Sequence, residues 1–277
     1  MGFCAQSRPN SMTTLPPAAD VKSHVQRQFA DVAANYRNSR VHATGADLDW
    51  LVAAADPQAD MLALDAGCGA GHTALALAGR AGAVFACDFT RAMLDQVAAL
   101  ACERGVDNLA LQQADVERLP YPAARFDIVA TRYSAHHWQQ PEQALAEFRR
   151  VLKPTGVFAI SDIMADEGYA QDTFLQAIEL LRDPSHVRDF RASEWLTMLR
   201  AAGFVVAALE RFSLSLHFAT WTQRMRTPRS NRALIKSLFA GASADIRRGF
   251  GLPAQINDDN FSFTIPGAVI LARPADP

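Results

Sequence analysis

Short apolar runs alternate with longer helical patterns along the chain from about residue 60 onward. The runs predict strands over residues 61–65, 83–88, 109–112, 126–131 and 156–161. The last two runs are apolar at successive positions, which is typical of parallel strands buried on both faces. Strands that alternate with helices in this way favour a doubly wound α/β sheet with right-handed crossovers.

Helical spacing occupies three of the four intervals between these strands. One helix is predicted over residues 72–80. A second begins after Thr90, a good N-terminal cap, and ends at Gly105. A third begins near Pro141, which a first helical turn accepts, and residues 153–156 (KPTG) end it. These three intervals therefore hold the helix that a parallel crossover needs.

The N-terminal part carries a different pattern. Residues 1–20 are rich in Ser, Thr, Pro and Ala and lack the apolar core of a secretion signal, so a disordered leader is expected. Phe29, Ala33 and Tyr36 then recur at helical spacing within residues 23–40. This spacing predicts a helix that lies against the main body.

The C-terminal part continues the sheet. Ser193 is predicted to cap a helix that ends at Gly203. Strands are predicted over residues 205–216 and 261–273. A helical insertion of mixed charge, over residues 221–249, separates these two strands.

The composition fits one domain with one core, since 49% of the 277 residues are hydrophobic and 20% are charged. A net charge of −2 provides no attraction to nucleic acid or anionic lipid. No stretch approaches the roughly 18 apolar residues of a membrane span. The cysteines show neither disulfide nor metal-ligand spacing: Cys4, Cys68, Cys87 and Cys102. A cytoplasmic location and no metal are expected.

A glycine-rich turn follows the first strand. Asp65 opens it, and Gly67, Gly69 and Gly71 occupy alternate positions, which lets the backbone turn sharply and approach a ligand without Cβ interference. The dinucleotide fingerprint would need a small residue at the next position, where His72 stands. A purely structural tight turn is the alternative interpretation.

Acidic residues end the next two strands. Asp88 ends the second, where an acid can accept both hydroxyls of a ribose. By itself it could equally be a residue that the helix dipole favours. Asp115 follows the third strand, placed to accept an adenine amino group, or to serve as an ordinary turn aspartate. Together with Asp65, these acids form a pattern that chance rarely supplies.

The segment from Leu62 to Ser161 resembles the type-11 group of class I methyltransferases, which depend on S-adenosylmethionine (SAM) and include the ubiquinone and menaquinone C-methyltransferases. The matching pieces are LDAGCGAGHTA, DFTRAML, ADVERLPYPAARFDIVATR, AHHW and EFRRVLKPTG. More weakly, residues 29–36 resemble the N-terminal lid helix of this family, and residues 193–204 resemble its helix before strand six. These motifs are specific to the cofactor and not to the acceptor.

The resemblance implies a Rossmann-like, seven-stranded sheet in the order 3-2-1-4-5-7-6, with strand 7 antiparallel and helical lid segments. It implies a single methyltransferase domain over residues 21–277. The implied divisions of this domain are N-terminal lid helices at 21–55, a SAM-binding core at 60–161, and substrate-cap insertions at 162–192 and 217–258.

The resemblance also implies SAM as the cofactor. Gly67, Gly69 and Gly71 would pass close to its methionine portion. Asp65 would orient the turn and the ammonium group, and Asp88 would hold the ribose.

The remaining implied contacts concern the two ends of SAM. Phe89 and Met93 would flank adenine, and Asp115 with Val116 would address its edge. The backbone of Arg132 would touch the amino-acid end.

Methyl transfer from SAM needs alignment more than a nucleophile, because the sulfonium is already a reactive electrophile; alignment contributes about 7–11 kcal/mol. His136 and His137 follow the fourth strand and are candidate general bases, although one of them could instead fix the next helix. Tyr36 and Tyr133 could orient an acceptor or simply pack.

The acceptor is expected to be a small molecule that receives the methyl group by in-line displacement on oxygen, nitrogen or carbon. Four residues could bind an anionic acceptor, with solvated surface as their expected role: Arg37, His42, His186 and Arg188. Trp221 and the insertion after it are expected to cap the pocket. The oligomeric state is open.

Other functions fit less well. A base-flipping nucleic-acid methyltransferase would carry an Asn/Asp-Pro-Pro-aromatic motif after strand four, where residues 131–134 read TRYS. His72 and the lack of a Tyr-x-x-x-Lys pair disfavour an NAD(P) dehydrogenase. A macromolecule methyltransferase and a non-catalytic SAM-binding protein stay as alternatives.

Overall fold

The computed structural model describes residues 20–37 and 39–275. Its helices are α1 (Val21–Arg37), α2 (Arg40–Ala43), α3 (Ala46–Ala55), α4 (His72–Ala78), α5 (Arg91–Arg104), α6 (Pro141–Val151), α7 (Tyr169–Arg182), α8 (Ala192–Ala201), α9 (Phe218–Arg224), α10 (Arg229–Ala240) and α11 (Ala244–Gly249). Its strands are β1 (Leu62–Ala66), β2 (Ala83–Asp88), β3 (Leu109–Gln113), β4 (Phe126–Arg132), β5 (Leu152–Ile163), β6 (Phe204–His217) and β7 (Ser262–Pro274). Apart from Asp20, the predicted leader lies outside the described residues. Within them, no helix is both long enough and apolar enough to cross a membrane.

The strands form one sheet in the order β3-β2-β1-β4-β5-β7-β6, which confirms the expected order. Strands β1 to β5 pair in parallel, and β7 runs antiparallel to both β5 and β6. The register sets Ala66 beside Cys87 and Asp88 beside Gln113. The carboxyl ends of β1, β2 and β3 therefore meet at one edge, where open α/β sheets bind ligands.

Helices cover both faces of the sheet with buried side chains. On one face, Phe148 of α6 and Trp195 of α8 belong to a single apolar cluster with the sheet. On the other face, Leu51 of α3, Leu77 of α4 and Val97 of α5 do the same. Burial of each side chain of this size stabilises the fold by about 1.5–3 kcal/mol. Because both faces of the sheet are packed in this way, the sheet supports the loops at its edge.

A third apolar cluster lies beyond the sheet. Leu175 of α7, Phe218 and Trp221 of α9, and Phe239 of α10 pack together against Phe263 of β7. The segments predicted to be two cap insertions therefore share one core. We call the body formed by α7 and α9–α11 the cap.

Two helix starts differ in detail from prediction. Thr90 precedes α5 as expected, but its hydroxyl makes no capping bond; its backbone N–H donates to Asp88 Oδ1 at 2.8 Å. The prediction for Ser193 was wrong, because Arg191 is the residue before α8. Glu194 Oε2 accepts the Arg191 N–H at 2.8 Å, while the Ser193 hydroxyl donates to a carboxylate outside the helix.

Candidate active site

The turn after β1 is left-handed at three glycines. The φ angle is +71° at Gly67, +50° at Gly69 and +87° at Gly71, a region that disfavours side chains. A Cβ at Gly67 would collide with Ser134, whereas a Cβ at Gly69 would have no atom within 4 Å. The backbone at Gly69 therefore opens directly onto free space.

The Asp88 carboxylate holds this turn from the end of β2. Its Oδ2 accepts the Gly69 N–H at 2.9 Å, and its Oδ1 accepts the Thr90 N–H at 2.8 Å. Burial raises the pKa of Asp88 to about 6, although both N–H groups act to lower it. Each oxygen keeps a lone pair that could accept a ligand hydroxyl.

These groups border an open cleft of about 960 Å³, its mouth included. Eight of the ten predicted cofactor residues line it: Gly67, Gly69, Asp88, Phe89, Met93, Asp115, Val116 and Arg132. Asp65 and Gly71 do not. Asp65 is 1% exposed, and burial raises its pKa to about 7. It lies outside the cleft lining, and its role in orienting the turn and the ammonium group stays a prediction.

Helix α1 covers the cleft. Phe29 lines the cleft from this helix and packs edge-to-face on His137, with ring centroids 4.8 Å apart. In the first turn, Lys22 Nζ lies 2.5 Å from both Asp115 Oδ2 and Glu117 Oε2. The carboxylate predicted to address adenine is therefore already held by a lysine of the covering helix.

The Arg132 side chain turns away from the cleft. Its Nε lies 2.5 Å from Asp47 Oδ2, with both side chains buried, and its guanidinium donates to the carbonyls of Val41 and His42. The ring of Tyr133 lies 4.5 Å from the guanidinium carbon, and its backbone is left-handed at φ +51°. Arg132 also lines the cleft, and the contact of its backbone with the cofactor stays a prediction.

A second cavity, of about 460 Å³ with its opening to solvent included, lies between the sheet edge and the cap. We call it the inner cavity. Tyr36, His42 and Tyr133 line both spaces, so the cleft and the inner cavity meet at these three residues. The other walls are apolar at Val41, Ile163, Leu214, Leu216, Trp221 and Ile265, and polar at His136, Glu179, Arg182, Asp189 and Arg224.

The two candidate histidines occupy the 3₁₀ turn Ala135–His137 and face different spaces. His137 lines the cleft and His136 lines the inner cavity. His136 Nδ1 lies 2.7 Å from Asp162 Oδ1, and His137 Nδ1 lies 3.1 Å from the Ser185 carbonyl oxygen. Because a carbonyl can only accept, Nδ1 of His137 carries the hydrogen and Nε2 keeps a lone pair.

The two imidazoles have opposite protonation states. Burial acts to lower the pKa of His136, but the Asp162 carboxylate outweighs it and raises that pKa to about 9. Burial and the adjacent His136 lower the pKa of His137 to about 4. At neutral pH, His136 is therefore an imidazolium and His137 is a neutral base.

The residues considered for an anionic acceptor lie in different places. Arg37 and Arg188 pair with carboxylates outside both cavities. The surface interpretation was wrong for His186, which is 7% exposed, and for His42, which lines both spaces. The sequence did not single out Arg224, because its place depends on how α9 folds over the sheet.

Comparison with known proteins agrees with this geometry. Residues 64–160 match the family model of a methyltransferase domain. The chain is 35% identical over 242 residues to the uncharacterized methyltransferase YcgJ of Bacillus subtilis, which covers 87% of this chain and 96% of that protein. It is also 35% identical over 153 residues to the demethylmenaquinone methyltransferase of Deinococcus radiodurans, with 51% of this chain and 62% of that protein covered.

Solved structures share the fold as well. The crystal structure of YcgJ superposes with a TM-score of 0.80 at 33% identity, over 83% of this chain and 99% of that one. BH2331 of Bacillus halodurans gives a TM-score of 0.79 at 30% identity, over 84% of this chain and 100% of that one. The sheet order, the glycine turn and these relatives lead to one conclusion: the chain belongs to the SAM-dependent methyltransferases.

Proposed function

We propose that this methyltransferase transfers the methyl group of SAM to a small molecule held in the inner cavity. The observation that carries the proposal is the cavity itself. It joins the cleft at Tyr36, His42 and Tyr133, and its walls combine apolar side chains with a few polar groups, which is typical of small-molecule sites. Trp221 and Arg224 of the cap line it, so a macromolecular acceptor would have to displace the cap.

The cleft has the chemistry that SAM requires. The open space at Gly69 admits a ligand against the backbone, and the Asp88 oxygens can accept ribose hydroxyls. We assign Phe89 and Met93 to the two sides of adenine and Val116 to its edge. Bound SAM would supply a methyl group activated on a sulfonium.

The other predicted residues divide between contact and support. We assign Gly67 and the backbone of Arg132 to the amino-acid end of SAM, and Asp115 to the adenine edge, where it remains tied to α1. Gly71 and Asp65 lie outside the cleft lining, and we assign both to holding the turn. The proposed reaction includes no metal, because methyl transfer from SAM needs none.

Methyl transfer breaks the carbon–sulfur bond as the acceptor–carbon bond forms, and S-adenosylhomocysteine is left behind. An acceptor hydroxyl or amine must also lose a proton. We assign Nε2 of His137, which keeps a lone pair and lies 3.9 Å from Asp183 Oδ2, to take it. His136, held by Asp162, positions the 3₁₀ turn. Tyr36 and Tyr133 form the wall where donor and acceptor meet.

The named relative supports a small acceptor. The Deinococcus protein is named for demethylmenaquinone, a small molecule. A binding protein without turnover is the competing function, because a cofactor site does not by itself establish catalysis.

The test supplies purified protein with methyl-labelled SAM and cell extract, followed by ultrafiltration. We expect S-adenosylhomocysteine to form and the label to pass into the filtrate. Label confined to the retained macromolecules would overturn the small-molecule assignment. Absence of S-adenosylhomocysteine, with SAM still bound, would support the binding protein instead. Gly69→Val protein serves as the control for label that arises without the cleft.

A further inference from the structure

Arg224 contributes an uncompensated positive charge to the inner cavity. In the described part of the chain, no carboxylate lies within the 4.0 Å that defines an ion pair with this guanidinium. Its Nη1 donates to the Ser39 hydroxyl at 2.9 Å, and its buried Nε has no hydrogen-bond partner there. A buried cation without a counter-charge is costly unless a ligand supplies one.

The other charged groups that line the inner cavity are accounted for. Arg182 pairs with Glu179 at 3.0 Å, and His136 pairs with Asp162 at 2.7 Å. Burial raises the pKa of Asp189 well above its usual range, which favours its neutral form. Burial and the Arg182 guanidinium lower the pKa of Arg224 to about 10, so it remains charged at neutral pH.

The buried Tyr133 hydroxyl lies at the meeting point of the two spaces, and the Asp47 carboxylate is its hydrogen-bond partner. Among the described residues that line the inner cavity, the donor without an acceptor is Arg224 Nε. This open donor, beside apolar wall residues at Leu214, Leu216 and Ile265, suits a ligand with an apolar body and a polar, acceptor-rich end. The planar guanidinium of arginine can also donate two parallel hydrogen bonds to one carboxylate or phosphate group.

We propose that the methyl acceptor carries an anionic group, a carboxylate or a phosphate, that binds Arg224 while its apolar body fills the inner cavity. This inference rests on the proposed function and adds the chemical class of the acceptor to it. The anion completes the charge balance of the cavity and accepts a hydrogen bond from Arg224 Nε. The reacting atom of the acceptor then lies toward the cleft.

The first experiment separates small molecules from cells that express the chain on an anion exchanger. Methyl-labelled SAM and purified protein are then added to each fraction. We expect acceptor activity only in the retained, salt-eluted fraction. Activity in the flow-through would overturn the anionic acceptor yet leave the small-molecule function standing. Activity only with macromolecules, or none at all, would overturn both. Phosphatase treatment abolishes the activity if the group is a phosphate and spares it if it is a carboxylate.

The second experiment uses Arg224→Gln, with Arg226→Gln as its matched control, because Arg226 is exposed two residues further along. With the retained fraction as substrate, Arg224→Gln should lower kcat/KM by at least about 30-fold, mainly through KM. Arg224→Lys should recover part of it, since a positive charge remains. Melting temperature and SAM affinity should stay close to those of the wild type.

Other outcomes would remove Arg224 from acceptor binding. Unchanged KM in a folded Arg224→Gln protein is one. An equal loss in Arg226→Gln is another, because it would point to the overall charge and not to the cavity. If Arg224→Gln does not fold, Ser39→Ala tests the same site, since it frees Nη1 and should alter KM without removing the charge.

Discussion

The cleft takes its polar groups from loops that directly follow β1, β2, β3 and β4, whereas the inner cavity takes its groups from segments far apart in the chain. Gly69 and Asp88, which meet in the cleft, are 19 positions apart. Ser39 and Arg224, which meet beside the inner cavity, are 185 apart. The cofactor side is therefore fixed by the sheet, and the acceptor side by how α1, α2 and the cap fold over it.

The two regions also differ in charge. In the cleft, the acids are held by backbone N–H groups or by Lys22. In the inner cavity, the Arg224 guanidinium pairs with no carboxylate of the described residues, and its Nε has no acceptor among them. A cleft whose acidic groups already have hydrogen-bond or ion-pair partners suits the cofactor, which is the same in each enzyme of the family. A cavity with a charge that lacks a counter-ion suits the acceptor, which differs from enzyme to enzyme.

The largest expected effect comes from the glycine turn. Gly69→Val should abolish calorimetrically detectable SAM binding, because the new side chain would fill the space that the ligand needs. Gly105→Val is the matched control, since Gly105 also has positive φ and no atom within 4 Å of a Cβ. Both variants should lose about 1–2 kcal/mol of stability from the left-handed backbone. SAM binding that is equal in the two proteins would contradict the cleft assignment.

The next largest effect concerns the rate of methyl transfer and should leave SAM binding unchanged. His137→Gln should lower the rate of methyl transfer by about 10²–10⁴-fold with SAM affinity kept, because it removes the proton acceptor. The loss should shrink as pH rises, if the acceptor can ionise unaided. A pH–rate profile beside a melting curve provides the measurement. A parallel fall in stability and SAM affinity, without a pH signature, would make His137 structural.

A smaller effect concerns the pH dependence of SAM binding. With the pKa of Asp88 raised to about 6, SAM affinity should fall as pH drops through 6, because a protonated carboxyl must first release its proton. Asp88→Asn should bind SAM more weakly by about 1–3 kcal/mol and lose this dependence.

The control for this measurement is Asp65→Asn, which removes the other buried acid of the turn, with its pKa of about 7. This variant should retain the dependence near pH 6. The measurement is a set of calorimetric titrations of SAM binding between pH 5 and 8. A pH dependence that survives in Asp88→Asn would exclude the assignment of Asp88 to the ribose.

The smallest effect is expected where α1 meets the cleft. Lys22→Met should cost at most about 1 kcal/mol of stability, because the Lys22 and Asp115 side chains are 31% and 27% exposed. The buried Glu117, which also loses Lys22, keeps two backbone N–H donors. Arg91→Met, which breaks an exposed pair with Asp95 away from the cleft, is the control. Faster SAM dissociation from Lys22→Met alone would show that this pair retains the covering helix. Identical rates in the two variants would show that it does not.

Sequence reasoning succeeded where neighbours in the chain become neighbours in space. The glycine turn and the place of Asp88 at the end of β2 could be predicted because each strand end lies beside the next helix start. The strand order was predicted from the family resemblance. It failed at Ser193, since a hydroxyl near a helix start can bond outside the helix. It also missed Arg224, whose side chain reaches the cavity only through long-range packing of the cap.

The left-handed backbone at Tyr133 has a consequence for engineering. A non-glycine residue with this φ costs about 1–2 kcal/mol. The aromatic ring stands at the boundary between the two cavities and packs on His42 and Arg132. A change to glycine would relieve the backbone but remove this packing and the wall between the two cavities. The strained backbone at Tyr133 therefore accompanies a side chain whose position matters more than its local conformation.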